Sequence, residues 1–207
     1  MSRKEGKLFV ITGPSGTGKG SICKEILKEI GNEFSVSMTT REAREGEVHG
    51  KDYFFVTEEE FLENVEKGNF LEHASVFEHL YGTPRDMVIK QLERGRNVIL
   101  DIDVQGALQV KKAMPEAVLI FLLPPSLHEL RRRLEGRGTD SHDVIELRLS
   151  RALGEIKLIG EYDYYVVNDD IEKALAEVRS IMTAEKCRVP DKVNPIIKQY
   201  EQEERGE

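Results

Sequence analysis

The stretch best equipped for chemistry is Gly13-Pro14-Ser15-Gly16-Thr17-Gly18-Lys19-Gly20-Ser21, a run of glycines closed by a lysine. Glycines let a loop curl until successive backbone N–H groups point inward, and a helix starting behind the loop adds its positive end. Lys19 can then bridge the terminal phosphates of a nucleotide. The usual pattern has Ser or Thr directly after the lysine, where its hydroxyl holds Mg²⁺. Here Gly20 stands there and the hydroxyl comes one later, at Ser21. That order predicts an ion held mainly by phosphate oxygens and waters, which suits a cation that dehydrates reluctantly.

Other groups could act on a phosphate. Asp101 and Asp103 close an apolar run that starts at Asn97, where a phosphate-loop protein places the carboxylate facing its metal. Turn or capping roles are the alternative. Arg41 and Arg44 flank a polar loop, with Tyr53 and Tyr81 also set among polar or turn residues. Arginine forks and tyrosine hydroxyls suit a dianionic phosphate, and a solvated basic face is the other reading. In a third cluster, Arg133 and Arg137 bracket the start of a polar segment running to Asp143, and Arg148 returns on the next helix. A mobile, arginine-bearing flap can enclose reacting phosphates and exclude water. The five histidines and the two cysteines, Cys23 and Cys187, show no metal spacing, and no Ser/His/Asp order is readable.

The elements that must position these groups follow from the apolar pattern. Leu8-Phe9-Val10-Ile11 predicts a strand before the loop. Ile22, Ile26, Leu27 and Ile30 predict one face of a helix after it, stopped at Gly31. Asn97 to Asp103 predicts a buried strand ending in two carboxylates, and Ala117 to Leu123 is another near-continuous apolar run; a parallel sheet buries such runs on both faces. Tyr164 to Val167 predicts a further strand, ending at Asn168. Helices are predicted from Gln105 to Ala113, from Ser126 to Leu134, through Ile145, Leu149, Leu153 and Ile156, and finally through Ile171, Leu175, Val178 and Met182. Ser126 with Glu129 and Thr57 with Glu60 are capping pairs. This alternation predicts an α/β domain with a mainly parallel sheet. The stretch 35–91 breaks the rhythm. Ser35-Val36-Ser37, Phe54-Phe55-Val56 and Phe70 to Phe77 read as strands, Tyr81-Gly82-Thr83-Pro84 as a turn, and Met87 to Leu92 as a helix. The stretch looks like an insertion forming its own lobe. The charged tail from Asp191 is expected to fray.

A chain of 207 residues makes one domain, or one core carrying insertions. Its net charge of −8 argues against a general nucleic-acid or anionic-membrane binder, since both need broad positive surfaces. No segment approaches transmembrane length, and the apolar run after Lys7 is too short for a signal peptide. Two thiols in a chain this size fit a reducing cytoplasm.

Taken together and in order, the motifs point to a family. They are Gly13 to Lys19, Ser35-Val36-Ser37 with Thr39-Thr40-Arg41, Gly46-Glu47 with Gly50-Lys51-Asp52-Tyr53, Tyr81-Gly82-Thr83, Leu100-Asp101-Ile102-Asp103 with Gln105-Gly106, Arg133 to Thr139, and Val167-Asn168-Asp169-Asp170. From about Lys7 to Lys186 the chain closely resembles guanylate kinase (GMP kinase). The resemblance implies a P-loop nucleoside monophosphate kinase fold. Its core would comprise 1–34, 92–130 and 158–207, the last with a C-terminal helix and tail. A GMP-binding insertion would span 35–91 and a lid 131–157. It also implies transfer of the γ-phosphoryl group of ATP to GMP, with Mg²⁺ accompanying ATP. ATP and GMP are the implied partners, with neither nucleic acid nor membrane among them, and monomer and homo-oligomer stay equally open.

Carried over by position, the resemblance implies that Gly13, Pro14, Ser15, Gly16, Thr17, Gly18, Lys19, Gly20, Ser21 and Asn168 bind ATP. Arg41, Arg44, Tyr53 and Tyr81 would hold the GMP phosphate. Ser37, Glu72 and Thr83 would read guanine, with Asp103 nearby. Lys19, Arg44, Arg133, Arg137 and Arg148 would serve the transferring phosphoryl group, and Asp101 would face the metal through water. The chemistry agrees: guanine presents N1–H and a 2-amino group, two adjacent donors that one buried carboxylate can accept, whereas adenine offers an acceptor there. Ala43 departs from the proline common in the family, Met38 from a polar residue and Gly20 from serine. The competing class is the non-catalytic guanylate-kinase-like interaction module, which tends to lose the loop lysine or the arginines this chain keeps.

Overall fold

The computed structural model describes residues 6–76, 78–136, 141–189 and 194–205. Strand β1 (Leu8–Thr12) runs into the glycine loop and then helix α1 (Lys19–Ile26). Strands β2 (Asn32–Phe34), β7 (Asn97–Asp101), β8 (Val118–Leu123) and β9 (Tyr164–Val167) join β1 in one parallel sheet of order β2-β7-β1-β8-β9. Helices α4 (Val104–Ala113), α5 (Leu127–Glu135) and α6 (His142–Ile156) fill connections between its strands, and α7 (Ile171–Cys187) follows β9. This is the phosphate-loop α/β fold that the sequence implied.

The continuous apolar runs have a direct reason. Phe9 and Ile11 pack into one core with Ile22, Ile26, Leu122 and Val178, while Leu8 and Val10 pack into another with Leu100, Val110 and Leu119. Successive side chains of a strand point to opposite faces, and both faces of β1 are covered. Each fully buried aliphatic side chain contributes about 1.5–3 kcal/mol.

A second sheet, of order β4-β3-β6-β5, is made by β3 (Met38–Thr39), β4 (Phe54–Phe55), β5 (Phe70–Val76) and β6 (His79–Pro84), with helices α2 (Glu58–Glu66) and α3 (Arg85–Glu93) beside it in sequence. It falls within the stretch that breaks the α/β rhythm. Three local expectations need correction. The strand read at 35–37 is instead the gap between β2 and β3. The turn read at Tyr81–Pro84 is strand, part of β6. Gly82 sits there because a Cβ would lie 2.8 Å from the Phe70 ring, so the glycine makes room rather than a turn. Helix α1 stops at Ile26, after which the chain tightens (Lys28 N–H to Glu25 O, Glu29 N–H to Ile26 O) and leaves Ile30 fully exposed. The tail expected to fray carries a further helix, α8 (Asn194–Arg205), rich in the strong helix formers Gln, Glu, Lys and Arg. Among the described residues no helix is long and apolar enough to cross a membrane.

Candidate active site

Strands β1, β7, β8 and β9 all end on one edge of the parallel sheet, where α/β proteins bind ligands. The glycine loop leaves β1 at that edge. Gly13 holds φ at 139° and a Cβ on it would fall 2.2 Å from the Leu122 carbonyl, so strand β8 itself requires a glycine. Thr17 closes the loop by donating Oγ1 to Pro14 O at 2.8 Å. Asn168, following β9 and only 5% exposed, takes hold of the loop from the far side. Its backbone N–H donates to Leu123 O at 2.8 Å and its Nδ2 to Thr17 O at 2.7 Å. Gly18 fits beneath that amide, which would sit 2.5 Å from a Cβ.

Lys19 opens α1 and curls its ammonium onto the loop, donating to Gly13 O and, at 3.3 Å, to Pro14 O. Burial lowers its pKa, opposed first by Asp101 and then by Glu155. Asp101, at the end of β7, is pushed up by burial and held down by Lys19. A Cβ on Gly20 would have Asp101 Oδ2 as its nearest neighbour, at 3.8 Å, and Ser21 is exposed. The strand predicted to Asp103 ends at Asp101, and Asp103 lies beyond it as the N-cap of α4, its side chain turned to accept from Gly106 N–H at 2.8 Å.

Strand register builds the second half of the site. Thr83 pairs with Glu72 across β6 and β5, and Met38 pairs with Gly82 across β3 and β6, so Ser37 falls opposite Thr83. Ser37, just before β3, therefore lines up with Thr83 on β6 and Glu72 on β5. Glu72 is 8% exposed. Its Oε1 accepts from Thr83 Oγ1 at 2.6 Å, and its Oε2 faces the start of α4, 3.2 Å from where a Gly106 Cβ would lie. Burial raises its pKa, the Thr83 hydroxyl opposes this and Asp103 adds to it. Tyr81 stands two residues before Thr83 and so shares its face of β6, roughly 6–7 Å along the strand. The Tyr53 ring meets Tyr81 edge-on at 5.9 Å, and the Arg41 guanidinium lies 5.5 Å over Tyr53. The Arg44 side chain is exposed nearby in sequence.

Helices α5 and α6 pack on each other through Leu130, Leu134, Ile145 and Ala152, a small core of their own. Leu130 and Leu134 also close on the loop at Gly16, 3.0 and 3.1 Å from its Cβ position. Arg133 donates Nε to Glu129 Oε1 at 2.8 Å, and Arg132, then Arg133, push Glu129 down to about 2. Arg148 is half-buried on α6. Arg137 lies outside the described residues.

Two residues at the site went unremarked in the sequence, and a third was read only as a cap. Glu155, half-buried on the last turn of α6, faces Lys19 and Asp103. Tyr162 accepts from Thr12 Oγ1 at 2.9 Å, and burial pushes it up to about 12. Both reach the site through tertiary folding, without a local pattern. Glu129, read as the capping partner of Ser126, also stands three and four residues before Arg132 and Arg133 on one helix, and that spacing signals its ion pairs.

Comparisons with known proteins follow the same lines. The family model described as "Guanylate kinase" matches residues 5–185. A guanylate kinase from Caldanaerobacter subterraneus is 52% identical over 188 residues, 90% of this chain and 91% of that one. One from Clostridioides difficile is 48% identical over 204 residues, covering 98% of this chain and 100% of its own. The crystal structure of guanylate kinase from Anaplasma phagocytophilum superposes with a TM-score of 0.70 at 37% identity, covering 91% of this chain and 90% of that one.

Proposed function

The chain belongs to the guanylate kinase family and is a nucleoside monophosphate kinase, and we propose that it moves the γ-phosphoryl group of ATP to GMP, and to dGMP, giving ADP and GDP. The observation that carries the choice of acceptor is Glu72, a buried carboxylate with one oxygen held by Thr83 and the other turned to the start of α4. In the reading, that carboxylate accepts the N1–H and 2-amino donors of guanine, with Ser37 and Thr83 in the same row. Arg41, Arg44, Tyr53 and Tyr81 take the phosphate of GMP. The loop from Gly13 to Ser21 wraps the phosphates of ATP, Asn168 holds its shape beside the adenine, and Lys19 exchanges the loop carbonyls for phosphate oxygens. A lid spanning 131–157 brings Arg133, Arg137 and Arg148 to the transferring group, and the insertion 35–91 carries the GMP.

The chemistry needs no covalent enzyme intermediate. A phosphate oxygen of GMP forms the new bond to the γ-phosphorus as the bond to the β-phosphate oxygen breaks, and the electron pair leaves on ADP. The chain's residues align the two nucleotides in line and neutralise the charge that spreads over the transferring oxygens. Among the described residues no group of three or more His, Cys, Asp or Glu could hold a metal ion. Mg²⁺ would arrive with ATP, ligated by phosphates and waters, with Asp101 and Ser21 the residues that would hold those waters. Bound so, the ion would neutralise charge on the bridging phosphate oxygens. Cys23 and Cys187 are free thiols, in keeping with a cytoplasmic setting.

The test is ADP release by the purified chain with ATP and Mg²⁺, comparing GMP, AMP, CMP and UMP. Turnover with GMP and little with the others is expected. Turnover with another acceptor would overturn the base reading, and GMP binding without turnover would overturn the enzyme.

A further inference from the structure

Glu47 sits in the Gly46-Glu47 motif of the polar loop, and neither base reading nor phosphoryl transfer assigns it a task. Its carboxylate is divided between two partners. Oε1 accepts from Arg41 Nη2 at 2.9 Å, and Oε2 accepts from the backbone N–H of Arg44 at 2.8 Å. Arg41 gives its other terminal nitrogen to Glu42 O at 2.7 Å, and its guanidinium also lies over the Tyr53 and Phe55 rings, at 5.5 and 5.7 Å. The two side chains of the pair are only 12% and 21% exposed. Glu47 first, then the Tyr81 hydroxyl, raise the Arg41 pKa above the ordinary arginine value.

A carboxylate beside a phosphate-binding arginine can act in two opposite ways. As a placeholder for the phosphate, it would have to be displaced and would weaken binding. As a brace, it would fix a rotamer-rich side chain in advance and remove that ordering cost from binding. The contacts separate the two. A placeholder would bridge the two guanidinium groups as a phosphate does. Glu47 instead spends its second oxygen on the Arg44 backbone, which a phosphate ligand need not use, and so fixes the loop that carries the Arg44 side chain. Arg41 keeps further N–H donors on a plane set by Glu42 O and two rings.

We propose that Glu47 is a positioning residue for the monophosphate site: it ties the Arg41 guanidinium to the Arg44 backbone and so presents a pre-set grip to a dianionic phosphate. This rests on the reading of Arg41 and Arg44 as the residues that take the GMP phosphate.

The experiment is steady-state kinetics with GMP and ATP varied in turn, on the unaltered chain, Arg41→Ala, Glu47→Ala and Glu47→Gln, with the thermal midpoint of each. Glu47→Ala should raise KM for GMP about tenfold or more, the order of one charge-assisted hydrogen bond. KM for ATP should stay within a few-fold, roughly, since ATP does not use the grip in that reading. Glu47→Gln keeps one acceptor oxygen and should give a smaller rise in KM for GMP. A fall in KM for GMP in either variant would establish the placeholder and overturn the proposal. So would an unchanged value, or an equal rise for ATP. Should Glu47→Ala fail to fold, the same split in Glu47→Gln decides. Undiminished use of GMP by Arg41→Ala would overturn the grip reading itself, a failure separate from that of Glu47.

Discussion

Glu72 and Glu47 are carboxylates of the same stretch, the one that carries the smaller sheet, and they are held in opposite ways. Glu72 is buried against a neutral hydroxyl, and its burial pushes its pKa up. Glu47 faces a guanidinium near solvent, and Arg41 holds it below the usual carboxylate range. The same contrast runs through the whole site. Where the base would sit in the proposed reading, a buried carboxylate is held by a neutral hydroxyl, and a ligand with a pair of donors would add to it. Where phosphates would sit, three cations already have an oxygen of their own chain: Arg41 has Glu47, Arg133 has Glu129, and Lys19 has the loop carbonyls. An unsatisfied buried group discriminates steeply, because the wrong partner leaves it unpaired. Cations with exchangeable partners bind any phosphate and act when the phosphates arrive. Choice of substrate should therefore live at one end and rate at the other.

The largest effect that could break this division is at Lys19. Lys19→Ala should lower kcat on the order of 10⁴-fold, the scale of a lost cation on a transferring phosphoryl group. The residual activity should keep its preference for GMP over AMP. A loss of preference would place selectivity at the phosphate end. Next comes Glu72→Gln. Its kcat/KM for GMP should fall on the order of 10³-fold, because the carboxamide presents a donor where guanine has donors, while KM for ATP stays put. Equal loss for both nucleotides would sink the division. The same variant should be at least as stable as the unaltered chain at neutral pH. A buried acid whose pKa is raised weakens the fold above that value, and the amide has no charge to bury. A thermal melt without ligands reads this directly.

A smaller effect belongs to Asn168, which touches neither phosphate nor guanine in the reading. Asn168→Ala leaves the Thr17 carbonyl without its 2.7 Å donor and should raise KM for ATP about tenfold with KM for GMP unmoved. A rise for GMP alone would show that Asn168 serves the other substrate.

Much of this was legible in the sequence, for identifiable reasons. The parallel sheet announced itself because β1, β7 and β8 are covered on both faces and so cannot alternate in polarity. The phosphate loop was legible because the glycines are forced: Leu122 O closes on Gly13, and the Asn168 amide closes on Gly18. The smaller sheet was harder. Its strands β3 and β4 are two residues each, too short for a period, and Gly82-Thr83-Pro84 carries turn residues on a strand. The row of Ser37, Thr83 and Glu72 depends on the register of three strands, which residue types alone do not set. Glu155 and Tyr162 reach Lys19 and Thr12 only once the sheet has brought β1 and the end of α6 together.

The smallest effects concern pH, where the two ends should respond separately. If Glu72 reads guanine as proposed, its ionised form is needed, so KM for GMP should rise as pH falls through the Glu72 pKa. Burial raises that pKa, so the rise should begin above the ordinary glutamate value of 4.5. The phosphate of GMP also takes up a proton on acidification, with a pKa of about 6 for such monoesters. Glu72→Gln keeps that titration and lacks the carboxylate, so the difference between the two profiles belongs to Glu72. Parallel profiles would show that Glu72 does not titrate in binding. Asp103 sharpens the point, because its charge is a further cause of the raised value. Asp103→Asn keeps an acceptor for the Gly106 N–H at the start of α4 and removes the charge. The onset for GMP should then move toward lower pH, with the profile for ATP following Glu72 in neither chain. An onset that stays in place would mean that burial alone sets the base-reading carboxylate.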